Sequence, residues 1–239
     1  MSGIRSSMSD RMVRVQCDEI PNFPSQDITA ELFDIDENID KIYAEMGSAL
    51  AELDGNKISD KDPSHPLTKV LRAQQEIELK KIPLATELGT DALAKGFSVC
   101  IFANFTQTVR ELSERLQAPF IDGSVTGEKR DSILEAFQTN NQRSLILQSS
   151  VGGIAINLQD LDGNFPRMGY VFPGWSAVVL KQLLGRFRRE GGKSKSHFRV
   201  LLAAGSEVER KIHRALQSKL NALDSLNDGD LNPMNLKLK

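Results

Sequence analysis

Two cysteines, one tryptophan, two tyrosines and three histidines are all that these types contribute to 239 residues. Cys17 and Cys100 cannot build a disulfide framework, and neither sits in a Cys-x-x-Cys pair, so a reducing compartment is expected. His65, His197 and His213 lie far apart, with no cysteine or carboxylate at ligand spacing, so no metal site is read from them. Long apolar runs are lacking too. Nothing approaches the roughly 20 residues of a membrane span, and the opening MSGIRSSMSDR has no signal-peptide core. The expectation is a soluble, intracellular, monomeric protein with no membrane partner. No G-x-x-x-x-G-K-[ST] occurs in the 239 residues, so the loop and lysine that would cradle a triphosphate are absent from them.

What is present is enough apolar side chain, 40% of the residues, to bury a substantial core. The net charge of -2 conceals a division. Residues 18–62 hold 13 acids and 3 bases, whereas residues 63–239 hold 24 bases and 18 acids. The larger part is mildly basic, which suits a polyanionic partner without demanding one.

Met12 to Gln16 alternates like a short strand, and DEIPNFPSQD, with its two prolines, reads as a connection. Ile35, Ile39, Ile42, Met46, Leu50 and Leu53 then recur at three- and four-residue steps, with Asp36 placed as a cap, and predict a helix ending near Asp54 and Gly55. A second helical region runs from Leu67 to about Ala94, bent at Pro83. After Gly96 the pattern changes to strands alternating with helices. FSVCIFAN, FID, SLILQ, MGYVF and FRVLLAA are the strands; TQTVRELSERL, EKRDSILEAF, SAVVLKQLLGRFRR and SEVERKIHRALQSKL are the helices. That alternation predicts an α/β fold, a parallel sheet with helices on both faces. Ligands of such sheets bind outside the carboxyl ends of the strands, so the segments that follow the strands are where chemistry is expected. The tail NDGDLNPMNLKLK reads as a surface extension.

Two constellations carry chemistry. Gln182, Gly185, Arg186 and Arg189 form Q-x-x-G-R-x-x-R; on one continuous helix they would share a face, with two guanidiniums able to clamp a phosphate and stabilise charge on a transferring phosphoryl group. The bland alternative is a basic, solvated helix face. Ser149, Ser150, Val151, Gly152, Gly153, Ile154, Ala155, Ile156, Asn157 and Leu158 follow a strand directly. Adjacent glycines there let backbone amides approach an anion, and the hydroxyls can donate to phosphate oxygens; the same residues would also make a tight, serine-capped turn. Trp175 and Phe105 are each open to a core or a nucleic-acid role.

Taken together these segments resemble the second RecA-like lobe of superfamily 2 helicases and translocases, nearest to the Swi/Snf-like branch and its members from large DNA viruses and phages. FANFTQTVRELSERL is similar to motif IV, IDGSVTGEKRDSILEAF to the segment after it, SSVGGIAINL to motif V and QLLGRFRR to motif VI, in that order. Ala155 stands where the family pattern usually has a third glycine. The resemblance implies a RecA-like helicase C-terminal domain over residues 63–239, preceded over residues 1–62 by a strand, a connection and a helix that join the two lobes. It implies Arg186 and Arg189 at the γ-phosphate, Arg189 being the finger, with Gln182 in the same catalytic group; Gly152, Gly153, Asn157 and Gly185 at the nucleotide; and Asn104, Thr106, Gly123, Ser124, Ser149 and Ser150 along the nucleic-acid backbone. ATP and Mg2+ would belong to the complete two-lobe enzyme and would not be held by this chain alone. The implied partners are DNA, with RNA open, and a first RecA-like lobe. The alternative reading is a stand-alone, non-catalytic nucleic-acid-binding or regulatory module.

Overall fold

The computed structural model describes residues 20–35, 39–55, 66–152, 156–204, 207–226 and 237–238. In it the alternating pattern becomes one parallel sheet. Its strands are β1 (Gln26–Phe33), β2 (Ser98–Ala103), β3 (Phe120–Ile121), β4 (Ser144–Gln148), β5 (Arg167–Val171), β6 (Ser196–Ala203) and β7 (Lys237–Leu238), in the order β3-β4-β2-β5-β6-β1-β7. The helices are α1 (Ile39–Gly55), α2 (Pro66–Lys80), α3 (Ile82–Ala94), α4 (Thr106–Leu116), α5 (Gly127–Gln138), the single turn α6 (Ser149–Gly152), α7 (Ala177–Leu184) and α8 (Glu207–Leu226).

The continuous apolar run in β2 follows from its place inside the sheet, paired with β4 on one side and β5 on the other. All six of its residues are buried. Cys100 and Phe102 point into a core completed by α1, α2, α7 and α8, while Val99, Ile101 and Ala103 point into a second core under α3 and α4. A strand covered on both faces has no use for alternation between polar and apolar residues.

Three expectations need correction. The connection read from DEIPNFPSQD stops at Ser25. Gln26–Phe33 is a strand, pairing residue for residue with β6 from Gln26 opposite Ser196 to Phe33 opposite Ala203. It was obscured because QDITAELF mixes acids with apolar residues, and its paired backbone rather than its side chains commits it to the sheet. The bend assigned to Pro83 is a break at Lys81: α2 ends at Lys80 and α3 begins at Ile82, with Pro83 in the first turn, where its absent N–H costs nothing. The third concerns α7. Ser176 caps its start, accepting from the Val179 amide at 3.3 Å, but the helix ends at Leu184 instead of running through Arg189. Gly185 closes the last turn onto the Lys181 carbonyl, and Phe187 then turns inward to stack on Phe198, ring centroids 4.5 Å apart. The strand read at Met12–Gln16 and the cap at Asp36 lie outside the described residues. Of the tail, only Lys237 and Leu238 are described; they form β7 beside β1.

Gly169 in β5 makes room for this inward turn. A Cβ there would overlap the Phe198 ring and crowd Phe187. Gly169→Ala is expected to cost about 1–3 kcal/mol of stability, the usual penalty for overpacking. The urea midpoint reports it; an unchanged midpoint would mean that the two rings move aside freely.

Candidate nucleotide edge and nucleic-acid edge

The expectation that all the chemistry gathers at the carboxyl ends of the strands holds for one half of the candidate residues only. Because α7 crosses the sheet from its carboxyl edge to its amino edge, it delivers Gly185, Arg186 and Arg189 to the far side. There Gln26, the first residue of β1, donates to the Leu184 carbonyl at 2.7 Å, and Arg188 Nε donates to the Pro24 carbonyl at 3.0 Å while its guanidinium covers the Phe23 ring. An open concavity of about 420 Å3 lies at this edge, lined by Phe23, Asn157, Gln159, Gly185, Arg188, Arg189 and Glu190. It unites Asn157, Gly185 and Arg189. Arg186 is buried just inside, and Gln182, exposed on α7, is not among the lining residues.

The electrostatics of this edge favour an anion. Burial pushes the Arg186 guanidinium below its ordinary value, and the neighbouring positive charge of Arg189 adds to the effect. The Nε of Arg189 is buried with no hydrogen-bond partner among the described residues. Two crowded guanidiniums, one with a donor unspent, are relieved by a group with several anionic oxygens.

Asn157 reaches this edge because the chain on its carboxyl side is tied down. The Leu158 amide donates to the Arg186 carbonyl at 3.1 Å. Arg167, 1% exposed at the start of β5, donates from Nε to Leu158 O (3.0 Å), from one terminal nitrogen to Gln159 O (3.2 Å) and from the other to Asn140 Oδ1 (2.6 Å), and it lies over the Phe137 ring. Burial lowers the pKa of this guanidinium, an effect that the Asp160 carboxylate opposes. Sequence reasoning did not single out Arg167. The signal was an arginine opening an otherwise apolar strand, which fits an edge position equally well.

The carboxyl edge gathers the other candidates. Asn104 and Thr106 follow β2, Gly123 and Ser124 follow β3, and Ser149, Ser150 and Gly152 follow β4. Gly152 therefore lies across the sheet from Asn157 and Gly185, while Gly153 and Ala155 are outside the described residues. A cavity of about 270 Å3 brings Asn104, Ser149 and Ser150 together with Phe105 and Trp175, both half-buried. Inside it the Ser149 hydroxyl and the Trp175 ring N–H have no partner among the described residues. Gly123, Ser124, Thr106 and Ser150 are exposed. Asp122, 2% exposed, accepts from both the amide and the hydroxyl of Ser124, and these bonds hold its carboxyl below the usual range.

Asn104 has a dedicated partner that the sequence did not suggest. Glu78 of α2, 3% exposed, accepts from the Asn104 amide (2.9 Å), the Asn104 side-chain amide (2.7 Å) and the Phe105 amide (3.0 Å). The Asn104 side-chain amide also donates to the Phe172 carbonyl at 3.1 Å. Both N–H directions of the Asn104 carboxamide are thus spent inside the protein, and Oδ1 is what it can offer outward. Burial raises the Glu78 pKa, and the hydrogen bonds from Phe105 and Asn104 restrain the rise. Among the described residues no group of three or more histidine, cysteine, aspartate or glutamate side chains could hold a metal ion, and no helix is long and apolar enough to cross a membrane.

Residues 80–191 match the family model described as the helicase conserved C-terminal domain. The chain is similar to a protein of Acanthamoeba polyphaga mimivirus named as an ATP-dependent RNA helicase, 36% identical over 223 residues, covering 91% of this chain and 41% of the mimivirus protein. It is also similar to a RAD54-like DNA repair and recombination protein of Drosophila willistoni, 28% identical over 128 residues, covering 51% of this chain and 16% of that protein. The chain thus spans less than half the length of these relatives. Among solved structures, the C-terminal part of the Fun30 ATPase domain superposes with a TM-score of 0.60 at 16% identity, over 81% of this chain and 89% of that one.

Proposed function

Residues 80–191 belong to the helicase conserved C-terminal family, and from that premise we propose that this chain is the second motor lobe of an ATP-dependent DNA helicase or translocase. Its fold is RecA-like, and it is the C-terminal lobe of the superfamily 2, Swi/Snf-like type. In the proposed enzyme a first RecA-like lobe bearing the phosphate loop and the Mg2+ ligands closes on the amino edge described above, and ATP lies between the lobes. Residues 1–62 lead into that join, with β1 built into the sheet.

The observation that carries the proposal is the placing of Asn157, Gly185 and Arg189 around one concavity, with Arg186 buried beside them. ATP supplies a phosphoryl group whose transfer spreads negative charge over its oxygens. Arg189 meets that charge with a forked donor whose Nε is already desolvated, and Arg186, buried beside it, adds positive charge, so little reorganisation is needed. Arg188 is committed elsewhere, bonded to Pro24 and laid over Phe23, and orients the loop. Gln182 lies on the exposed face of α7, outside the concavity, and is not assigned a contact with the nucleotide. On the opposite edge Thr106, Gly123, Ser149 and Ser150 take the nucleic-acid backbone through hydroxyls and amides, contacts indifferent to base sequence, while Ser124, with its amide and hydroxyl both given to Asp122, shapes the turn that presents Gly123. Asn104, fixed by Glu78, shapes the turn from which Thr106 projects. Opening and closing of the inter-lobe cleft would then couple the two edges through α7.

The 239-residue chain alone is expected to hydrolyse ATP no faster than background, because it contains no phosphate loop. Turnover should appear when a first lobe carrying that loop is present on the same polypeptide. Robust hydrolysis by the purified chain alone would overturn the division of labour between lobes.

A further inference from the structure

Phe105 and Trp175 stand outside the proposed backbone track, yet both line the cavity of about 270 Å3 at the carboxyl edge. Three segments build it: α2 supplies Leu71, the turn after β2 supplies Asn104 and Phe105, and the turn after β5 supplies Trp175. Its floor includes the buried Phe172, Leu180 and Leu216, and its rim the exposed Leu71, Ser150 and Ser176. No charged side chain lines it. Glu78 and Lys219 bond to wall residues without lining it, Glu78 to the Asn104 and Phe105 amides and Lys219 to the Trp175 carbonyl. Such a lining excludes a phosphate or a metal ion as occupant, because either would be buried without a countercharge.

The wall is nevertheless chemically unsatisfied. Ser149 is 4% exposed, and its hydroxyl and the Trp175 ring N–H are covered and without a hydrogen-bond partner among the described residues. A buried donor left unpaired carries a standing cost that an occupant with acceptors removes. An acceptor is present as well. A Cβ at position 174 would lie 3.2 Å from Asn104 Oδ1, so Gly174 keeps that oxygen clear. Two donors and one acceptor, set among two aromatic rings and aliphatic side chains, suit an occupant that is flat, uncharged and edged with hydrogen-bonding atoms.

We propose that this cavity takes an unpaired nucleobase from a single strand whose backbone lies on the track at Thr106 and Ser150. The base packs on Trp175 and Phe105, and its carbonyl or ring-nitrogen acceptors meet the Ser149 hydroxyl and the Trp175 N–H. The inference rests on the proposed function for the existence of the track, and adds a base contact to it. A nucleobase has apolar faces, polar edges and no charge, which is what the lining asks for. Ser150 belongs both to the rim and to the track, so a backbone held there brings a base to the mouth. An apolar side chain from a partner protein would fill the volume but leave both donors unpaired. A base within a duplex is stacked and paired and enters only if extruded, so the cavity favours single strands.

Trp175 is the single tryptophan of the chain, so its emission reports on the cavity directly. The 239-residue chain is titrated at low salt with labelled oligodeoxythymidine, with a strand of equal length made of stable abasic sites, and with a blunt duplex. The thymidine strand is expected to bind on the order of tenfold more tightly than the abasic strand, the size of a base–aromatic contact, and to quench Trp175. The abasic strand and the duplex should leave the emission unchanged. Ser149→Ala should weaken thymidine binding a fewfold and spare abasic binding. Its thermal unfolding should not fall below that of the parent, since the hydroxyl has no described partner to lose. Equal affinity for the thymidine and abasic strands would leave the track standing and overturn the base contact. Tighter thymidine binding with unchanged emission would put the base elsewhere and overturn it too. Equal weakening of both strands by Ser149→Ala would assign that hydroxyl to the backbone and overturn its contact with a base. Failure of every strand to bind would overturn track and cavity together. A Trp175 emission shift when a first lobe is present on the same polypeptide, with the thymidine response lost, would give the cavity to that lobe and overturn the inference.

Discussion

Arg189→Ala in the protein that carries both lobes is expected to lower kcat for ATP hydrolysis on the order of a thousandfold, while nucleotide affinity stays within a fewfold. The physical ground is differential binding: a guanidinium that meets charge developing on the transferred group stabilises the transition state far more than the ground state. Arg189 suits that role because its Nε is already desolvated and without a partner among the described residues, at a concavity shared with Asn157 and Gly185. Arg186→Ala should be similarly severe, for a second reason as well. Arg186 is buried beside Arg189, so truncating its side chain leaves a void next to the segment, held by the Leu158 amide to the Arg186 backbone carbonyl, that presents Asn157. Lysine at position 189 should rescue little, because a point charge does not reproduce the fork. Lys193→Ala, exposed beyond Gly191 and Gly192, should be nearly silent. Stopped-flow nucleotide binding beside steady-state hydrolysis separates binding from chemistry. Turnover of Arg189→Ala within a fewfold of the parent would remove Arg189 from the catalytic group.

The largest loss of stability is expected from Lys81→Met. Lys81 is 1% exposed, pairs with Glu209, itself 3% exposed, and donates to the Leu201 carbonyl at 3.0 Å. Glu209 in turn accepts from the Ala203 amide, so the pair fastens the break between α2 and α3 to the end of β6 and the start of α8. Removing the ammonium strands a buried carboxylate, and breaking such a pair costs about 3–5 kcal/mol. The double variant Lys81→Met/Glu209→Leu should recover much of that loss, since no charge is then left buried. It should not recover all of it, because the Ala203 amide loses its acceptor. Chemical denaturation of the two variants beside the parent gives both numbers. A loss under about 1 kcal/mol for Lys81→Met would mean that water or a rearranged partner compensates Glu209.

The strands from β2 onward were legible because covered strands need apolar runs and the segments between them need helical spacing; FSVCIFAN and SLILQ have no other economical explanation. The order of motifs was equally legible, since it depends only on position along the chain. β1 was not. Its acids, Asp27 and Glu31, break the apolar pattern, and what makes it a strand is the exposed backbone of β6 awaiting a neighbour. The end of α7 was hidden for a similar reason. LLGRFRR has helical spacing, but Phe187 gains more by stacking on Phe198, in the room left by Gly169, than by continuing the helix.

Residue chemistry by itself determined that this chain could offer two arginines to a phosphate, and hydroxyls and glycines to a nucleic-acid backbone, because those capacities belong to the side chains. Tertiary structure alone decided that the two sets lie on opposite edges of the sheet. The helix that joins the carboxyl end of β5 to the amino end of the parallel strand β6 must cross from one edge to the other, so α7 separates Trp175 from Arg189 by about the length of the strands. Tertiary structure also supplied the partners of the buried charges. Glu78 meets Asn104, Lys81 meets Glu209, and Arg167 meets Leu158 and Gln159, all by folding distant segments together; the pairing arises from the cost of burying each charge alone.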